Sequence, residues 1–293
     1  MAKRLLTQAE EATNDILKPL CEKWGAHAFV KVRLADILPI ENSGIDDSDF
    51  RFALQSHFDF VVADTDIRPL FAVEFDGRTH ASDVQQQRDR RKNQLCERFG
   101  LPLLRINSRY LVSKYRQMDV LSWFVNYWFA SRMIDDAYEQ GQIPPDEYVD
   151  PAMFLSLPGS NEEFPLWLTA DVLCRIRELH EHGRCLDASP SSFVGSDESG
   201  NCRAISYLRI TETSAVYALT GMRGQQFPVP ASEVLEAIAL NDLYEQLSDV
   251  IERHQQARPI EELAKYLDSF RDQYALLSSS TYGEPPTLRW NAI

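Results

Sequence analysis

The 293 residues, 44% hydrophobic and 25% charged, suffice for one large core or two modest ones, and two domains are expected. No apolar run approaches the roughly 18 residues of a membrane span, and the N-terminal MAKRLLTQAEE lacks the apolar centre of a signal peptide, so a cytoplasmic protein with no membrane partner is expected. The net charge of -14 argues against phosphate binding over the whole surface, yet residues 1 to 120 hold 18 basic and 18 acidic side chains, so all the excess acid lies further on.

Five cysteines at irregular spacing, with no CxxC pair, argue for free thiols. Residues 4 to 23 place Leu5, Leu6, Ala9, Ala12, Ile16 and Leu20 at near-helical spacing. AFVKVRLADIL (28 to 38) alternates as a half-buried strand, and PIENSGIDDSDFRFALQSH follows as a loop. FDFVVAD (58 to 64) and PLFAVEFD (69 to 76) are two β-rich runs separated by a hairpin-sized TDIR. A polar helix over 83 to 99 stops at Gly100, and LPLLRIN (101 to 107) is a short buried strand. The aromatic segment 110 to 137 has the spacing of a packed helix.

GQIPPDEYVDP and SLPGSNEEFP read as a linker, which puts a domain boundary near 145 and divides the chain into 1 to 145 and 146 to 293. The second part reads as α+β. It has a helix at 166 to 183, a small β-unit (CRAISYLRI, SAVYALTGM, QQFPVP), helices at 231 to 256 and 259 to 277, and a flexible loop at 189 to 201. Its acid would repel DNA and suits a docking face for a protein partner.

The chemistry concentrates at AVEFDGRTH. If 65 to 68 form the hairpin loop, opposed residues sum to 133 and Asp59 faces Glu74, while the period of two puts Asp76 on the face of Glu74. Like charges so placed destabilise a sheet. Mg²⁺ or Mn²⁺ held by Asp59, Glu74 and the Phe75 backbone carbonyl would relieve them and activate water for phosphodiester hydrolysis. Solvated carboxylates, or ones paired with Arg78 and Arg105, are the structural alternative. In RDRRKNQL, Asp89 and Lys92 share a helix face, and Arg88, Arg90 and Arg91 make the densest basic cluster, suited to a phosphate backbone or simply to solvent.

E-x-D-G-x-x-H (Glu74, Asp76, Gly77, His80), R-D-x-x-K (Arg88, Asp89, Lys92), Gly100 and L-L-R-I-N (Leu103 to Asn107) together resemble bacterial domains related to very-short-patch-repair endonucleases, of the PD-(D/E)XK superfamily. The resemblance covers roughly residues 5 to 110, with D-F-V at 59 to 61 matching the first acidic strand and Glu10 or Glu11 a glutamate on the first helix. It implies a restriction-endonuclease-like αβββαβ core and a metal-dependent DNA endonuclease, in repair, restriction or phage defence, whose Asp59 and Glu74 ligate Mg²⁺. The departure is Asp76, where the superfamily pattern has lysine. Lys92 can substitute in space, His80 can act as general base, and Arg105 can contact nucleic acid. The alternative is a catalytically silent nuclease-like fold serving as a nucleic-acid-binding or assembly module.

Overall fold

The computed structural model describes residues 4–77, 83–115, 118–154, 156–157, 161, 166–253 and 255–281. The protein is mixed α/β, with two sheets and eight α-helices among the described residues. It divides into two compact units, Met1–Leu166 with Gln225–Val229, and Trp167–Gly224 with Pro230–Ile293. The first unit thus runs past the boundary expected near 145.

The first unit begins with α1 (Gln8–Lys23), whose start is set by a capping box: Thr7 accepts from the Glu10 N–H, and Glu10 Oε2 accepts from the Thr7 N–H at 2.7 Å. Then come β1 (His27–Arg33), the one-turn α2 (Leu34–Ile37), α3 (Asp47–Gln55), β2 (His57–Ala63), β3 (Pro69–Phe75), α4 (Asp83–Phe99), β4 (Leu103–Ile106) and α5 (Val120–Glu139). The sheet order is β1-β2-β3-β4; β1 and β2, and β2 and β3, pair antiparallel, and β4 runs parallel to β3. On one face Val61, Ala72 and Leu103 pack against Leu95 and Cys96 of α4 and against Leu34 and Ala53. On the other, Phe71 meets Trp128 of α5 and Phe227 edge-on at 4.9 and 5.2 Å, while Trp24 after α1 stacks on Phe129.

Several expectations need correcting. The strand expected over 28 to 38 ends at Arg33, because Leu34 turns into the core and its N–H donates to the Ser56 carbonyl. The loop expected after it contains α3, capped by Asp46 on the Asp49 N–H and packing Ala53 inward. In the hairpin, Ala63 rather than Asp64 pairs with Pro69, since Asp64 Oδ1 accepts from the backbone of Asp66 and Arg68 and so takes the turn. A bulge between Val62 and Ala63 absorbs the extra residue.

The second unit holds α6 (Ala170–Glu181), β5 (Ser191–Ser196), β6 (Cys202–Thr211), β7 (Ser214–Met222), α7 (Ala231–Glu252), β8 (Arg258–Pro259), α8 (Ile260–Gln273) and β9 (Ala275–Ser280). Its antiparallel sheet has the order β8-β7-β6-β5-β9. Residues of α6 and α7 pack on Leu208, Val216 and Ala218, and those of α8 on Ile205, Tyr207 and Tyr217, so helices cover both faces. The flexible loop expected at 189 to 201 contains β5, an interior strand. Its small residues are there for fit: a Cβ on Gly195 would come within 2.8 Å of Tyr274 Cβ, and Ser192 Oγ shares a buried hydrogen bond with Ser206. Of QQFPVP, expected in this β-unit, Gln225–Val229 belongs to the first unit, where the Leu103 N–H donates to the Gln226 carbonyl and Gln225 bonds the Arg105 backbone.

Candidate active site

The β2–β3 register pairs Phe60 with Val73 and Val61 with Ala72. Carried one residue on, it sets Asp59 opposite Glu74 at the far end of the hairpin from its turn. Asp59 Oδ2 accepts the Phe75 N–H at 2.9 Å, which fixes the carboxylate against the neighbouring strand. Glu74 is 7% exposed. Two carboxylates so close persist because each has its own lysine. Lys31 Nζ lies 2.7 Å from Asp59 Oδ1 and 2.5 Å from Glu10 Oε1, and Lys92 Nζ lies 2.6 Å from Glu74 Oε1. Lys92 also donates to the His57 carbonyl at 2.9 Å.

Helix α4 brings Lys92 to Glu74 because positions 89, 92 and 96 line one helix face, and that face is buried. Its other polar members hold Arg105 of β4. The Arg105 guanidinium donates to Asp76 Oδ1 at 2.9 Å and to Asn93 Oδ1 at 2.7 and 3.1 Å, with Asp89 Oδ1 at 3.8 Å. Gln85 in turn donates to Asp89.

Five carboxylates (Glu10, Asp59, Glu74, Asp76, Asp89) therefore meet three cations (Lys31, Lys92, Arg105), an excess of two negative charges when every carboxylate is ionised, in a largely buried cluster. Burial pushes the Glu74 carboxyl up to about 7, against the pull of Lys92 and with a push from Asp59. Burial also raises Glu10, but its bonds from Lys31 and Thr7 outweigh this and hold it below the ordinary range. Burial disfavours the Lys31 ammonium, yet Asp59 and Glu10 hold it above the usual lysine value.

Lys31 is also conformationally unusual. Its φ of 53° is left-handed, in the middle of β1 and directly across from Asp59. A non-glycine side chain pays roughly 1–2 kcal/mol for that backbone, and such outliers gather at functional sites.

Residues 2–120 match a family model described as a protein of unknown function, DUF2726. The match spans α1 through β4, the segment that contributes every side chain of the cluster. Comparisons with curated proteins and with solved structures return no match.

Of the residues expected from sequence, Asp59, Glu74 and Lys92 come together, Phe75 joins them through its N–H, and Asp76 lies beside them on Arg105. Of the two helix glutamates it is Glu10 that faces the site; Glu11 pairs with Arg4. His80 and Arg78 lie outside the described residues. Arg88 and Arg90 are exposed and form no ion pair among the described residues. Arg91 is bound to Asp49 and Ser48 and lies over the Phe52 ring. Arg105, expected to contact nucleic acid, is only 4% exposed and is spent on internal carboxylates, which corrects that expectation. Sequence reasoning missed Lys31 and Asn93 as members of the cluster. Among the described residues no group of three or more His, Cys, Asp or Glu side chains is gathered as a metal cage. The oxygen donors of Asp59 and Glu74 are nonetheless of the kind a hard divalent cation takes, and such an ion needs only one or two protein carboxylates besides water.

Proposed function

We propose that the first unit is a metal-dependent DNA endonuclease of the PD-(D/E)XK type, with Asp59 and Glu74 as the carboxylates that hold Mg²⁺ or Mn²⁺. The observation that carries the reading is the convergence of Asp59, Glu74 and Lys92 from three elements at one end of the β2–β3 hairpin. It is supported by the order of α1, β1, β2, β3, α4 and β4, with β4 parallel to β3, which follows the αβββαβ core that the sequence resemblance implies except that α2 and α3 are inserted between β1 and β2. The excess of two negative charges matches one divalent cation. Bound there, the ion would polarise a phosphodiester oxygen and lower the pKa of the attacking water.

The protein groups then have separable tasks. The Phe75 N–H keeps Asp59 oriented. Lys92, held by Glu74 and the His57 carbonyl, supplies beside the site the positive charge that Asp76 cannot give. Asp76 anchors Arg105, and through it β4, instead of ligating metal. Arg88 and Arg90 project from α4 into solvent and are available to backbone phosphates. The water proton would depart to solvent.

A catalytically silent nuclease-like module is the second reading, favoured by the pairing of each metal-binding carboxylate with a lysine. Conversion of supercoiled plasmid to nicked circle in Mn²⁺, with EDTA and the Asp59→Asn/Glu74→Gln variant as controls, separates the two. Metal-dependent nicking lost in a variant of native circular dichroism supports the enzyme. Nicking at the same rate in that variant overturns it, and absence of both nicking and divalent binding leaves the module.

A further inference from the structure

We infer that Lys31 is an internal counter-ion that competes with the divalent cation for Asp59, so that metal binding moves its ammonium off that carboxylate. The inference rests on the metal-site reading above and assigns Lys31 a role in setting the site's affinity. Glu10 and Asp59 each use one oxygen for anchorage and the other for Lys31: Glu10 Oε2 accepts the Thr7 N–H and Asp59 Oδ2 the Phe75 N–H, while Oε1 and Oδ1 converge on Nζ at 2.5 and 2.7 Å. Both carboxylates are therefore oriented by backbone amides, independently of the lysine. When the ammonium leaves, Asp59 Oδ1 still points to the same place and is open to another cation.

Of the two lysines in the cluster, Lys31 is the one able to leave. Its side chain is 35% exposed, against 11% for Lys92, which the His57 carbonyl also retains. The left-handed backbone at Lys31 brings the ammonium across from Asp59 at a steric cost that a lysine merely decorating an edge strand would not bear. Glu10 offers the displaced ammonium a partner that it already contacts, so the movement requires no bare buried charge.

The test is calorimetric titration of Mn²⁺ into the full chain, comparing wild type with Lys31→Met and Lys31→Arg. Removing one positive charge from the site should tighten binding about tenfold in Lys31→Met, and Lys31→Arg should stay near wild type. Because Lys31→Met leaves two carboxylates unpaired and risks unfolding, lysine acetylation of the wild type, read by mass spectrometry, gives a second measure. Adding Mn²⁺ should raise the labelling rate of Lys31 and leave that of Lys92 unchanged. Equal or weaker binding in folded Lys31→Met, or Lys31 labelling indifferent to a metal that wild type binds through Asp59 and Glu74, overturns the inference and leaves the metal site standing. No Asp59- and Glu74-dependent binding in any of the proteins removes both.

Discussion

Substituting Glu74 by glutamine should flatten the pH dependence of stability in the metal-free protein. Glu74 is buried, and its carboxyl is pushed from 4.5 to about 7. A raised acid favours the folded state while protonated: its contribution is fully present below the unfolded value near 4.5 and is lost as pH rises through about 7. At about 1.36 kcal/mol per pH unit, that interval corresponds to about 3 kcal/mol. The assay is urea denaturation in EDTA at intervals from pH 4.5 to 8, with the wild-type and Glu74→Gln values subtracted so that groups common to both cancel. The wild-type advantage should fall by about 3 kcal/mol across the window, and millimolar Mg²⁺, which binds the ionised form, should reduce that fall. A difference that is flat, or that rises with pH, would show that Lys92 already holds Glu74 ionised in the fold and would refute the burial reasoning.

Lys92→Met leaves the Glu74 carboxylate and the His57 carbonyl without their donor, so it should cost about 3 kcal/mol at pH 8, and clearly less at pH 5.5, where Glu74 takes up a proton; the same urea titrations check this. Arg88→Ala/Arg90→Ala removes two exposed cations with no ion pair among the described residues. Stability should change by less than about 0.5 kcal/mol, while the salt slope of duplex DNA binding, followed by fluorescence anisotropy, should shrink by roughly 1.8. Burial pushes the Cys21 and Cys96 thiols up to about 12 and Cys185 up to about 11, and raises Cys202, whereas Cys174 is exposed. A disulfide reagent should accordingly titrate one thiol quickly in the native protein, and Cys174→Ser should abolish that phase.

Much of the first sheet was legible because hydrophobic alternation and hairpin length together set a register. The rule that opposed residues sum to 133 holds for Phe60, Val61 and Val62 even though the turn itself is different, because the bulge compensates for Asp64 capping its own loop. The shared face of Asp89 and Lys92 followed from helical spacing alone. Lys31 was not legible: strand alternation assigns it a face, but nothing in KVRL announces a left-handed residue. Of the two readings of Arg105, the partner of the strand-end carboxylates describes its bond to Asp76, while the nucleic-acid contact failed because its burial depends on Asp76, Asp89 and Asn93 meeting it from two other segments. Helix α3 and strand β5 were hidden for opposite reasons. The polar residues around α3 obscured a short apolar face, while β5 carries a glycine at 195 because Tyr274 and Ala275 leave no room for a Cβ, and a serine at 192 that bonds Ser206.

The most direct test of the metal site is anomalous diffraction from crystals soaked in Mn²⁺. The account predicts a peak within about 2.2 Å of oxygens from both Asp59 and Glu74, with the Lys31 ammonium withdrawn from Asp59. An ordered Asp59–Glu74 pair whose Asp59 stays bound to Lys31 at saturating Mn²⁺, with no anomalous density between the carboxylates, would contradict it.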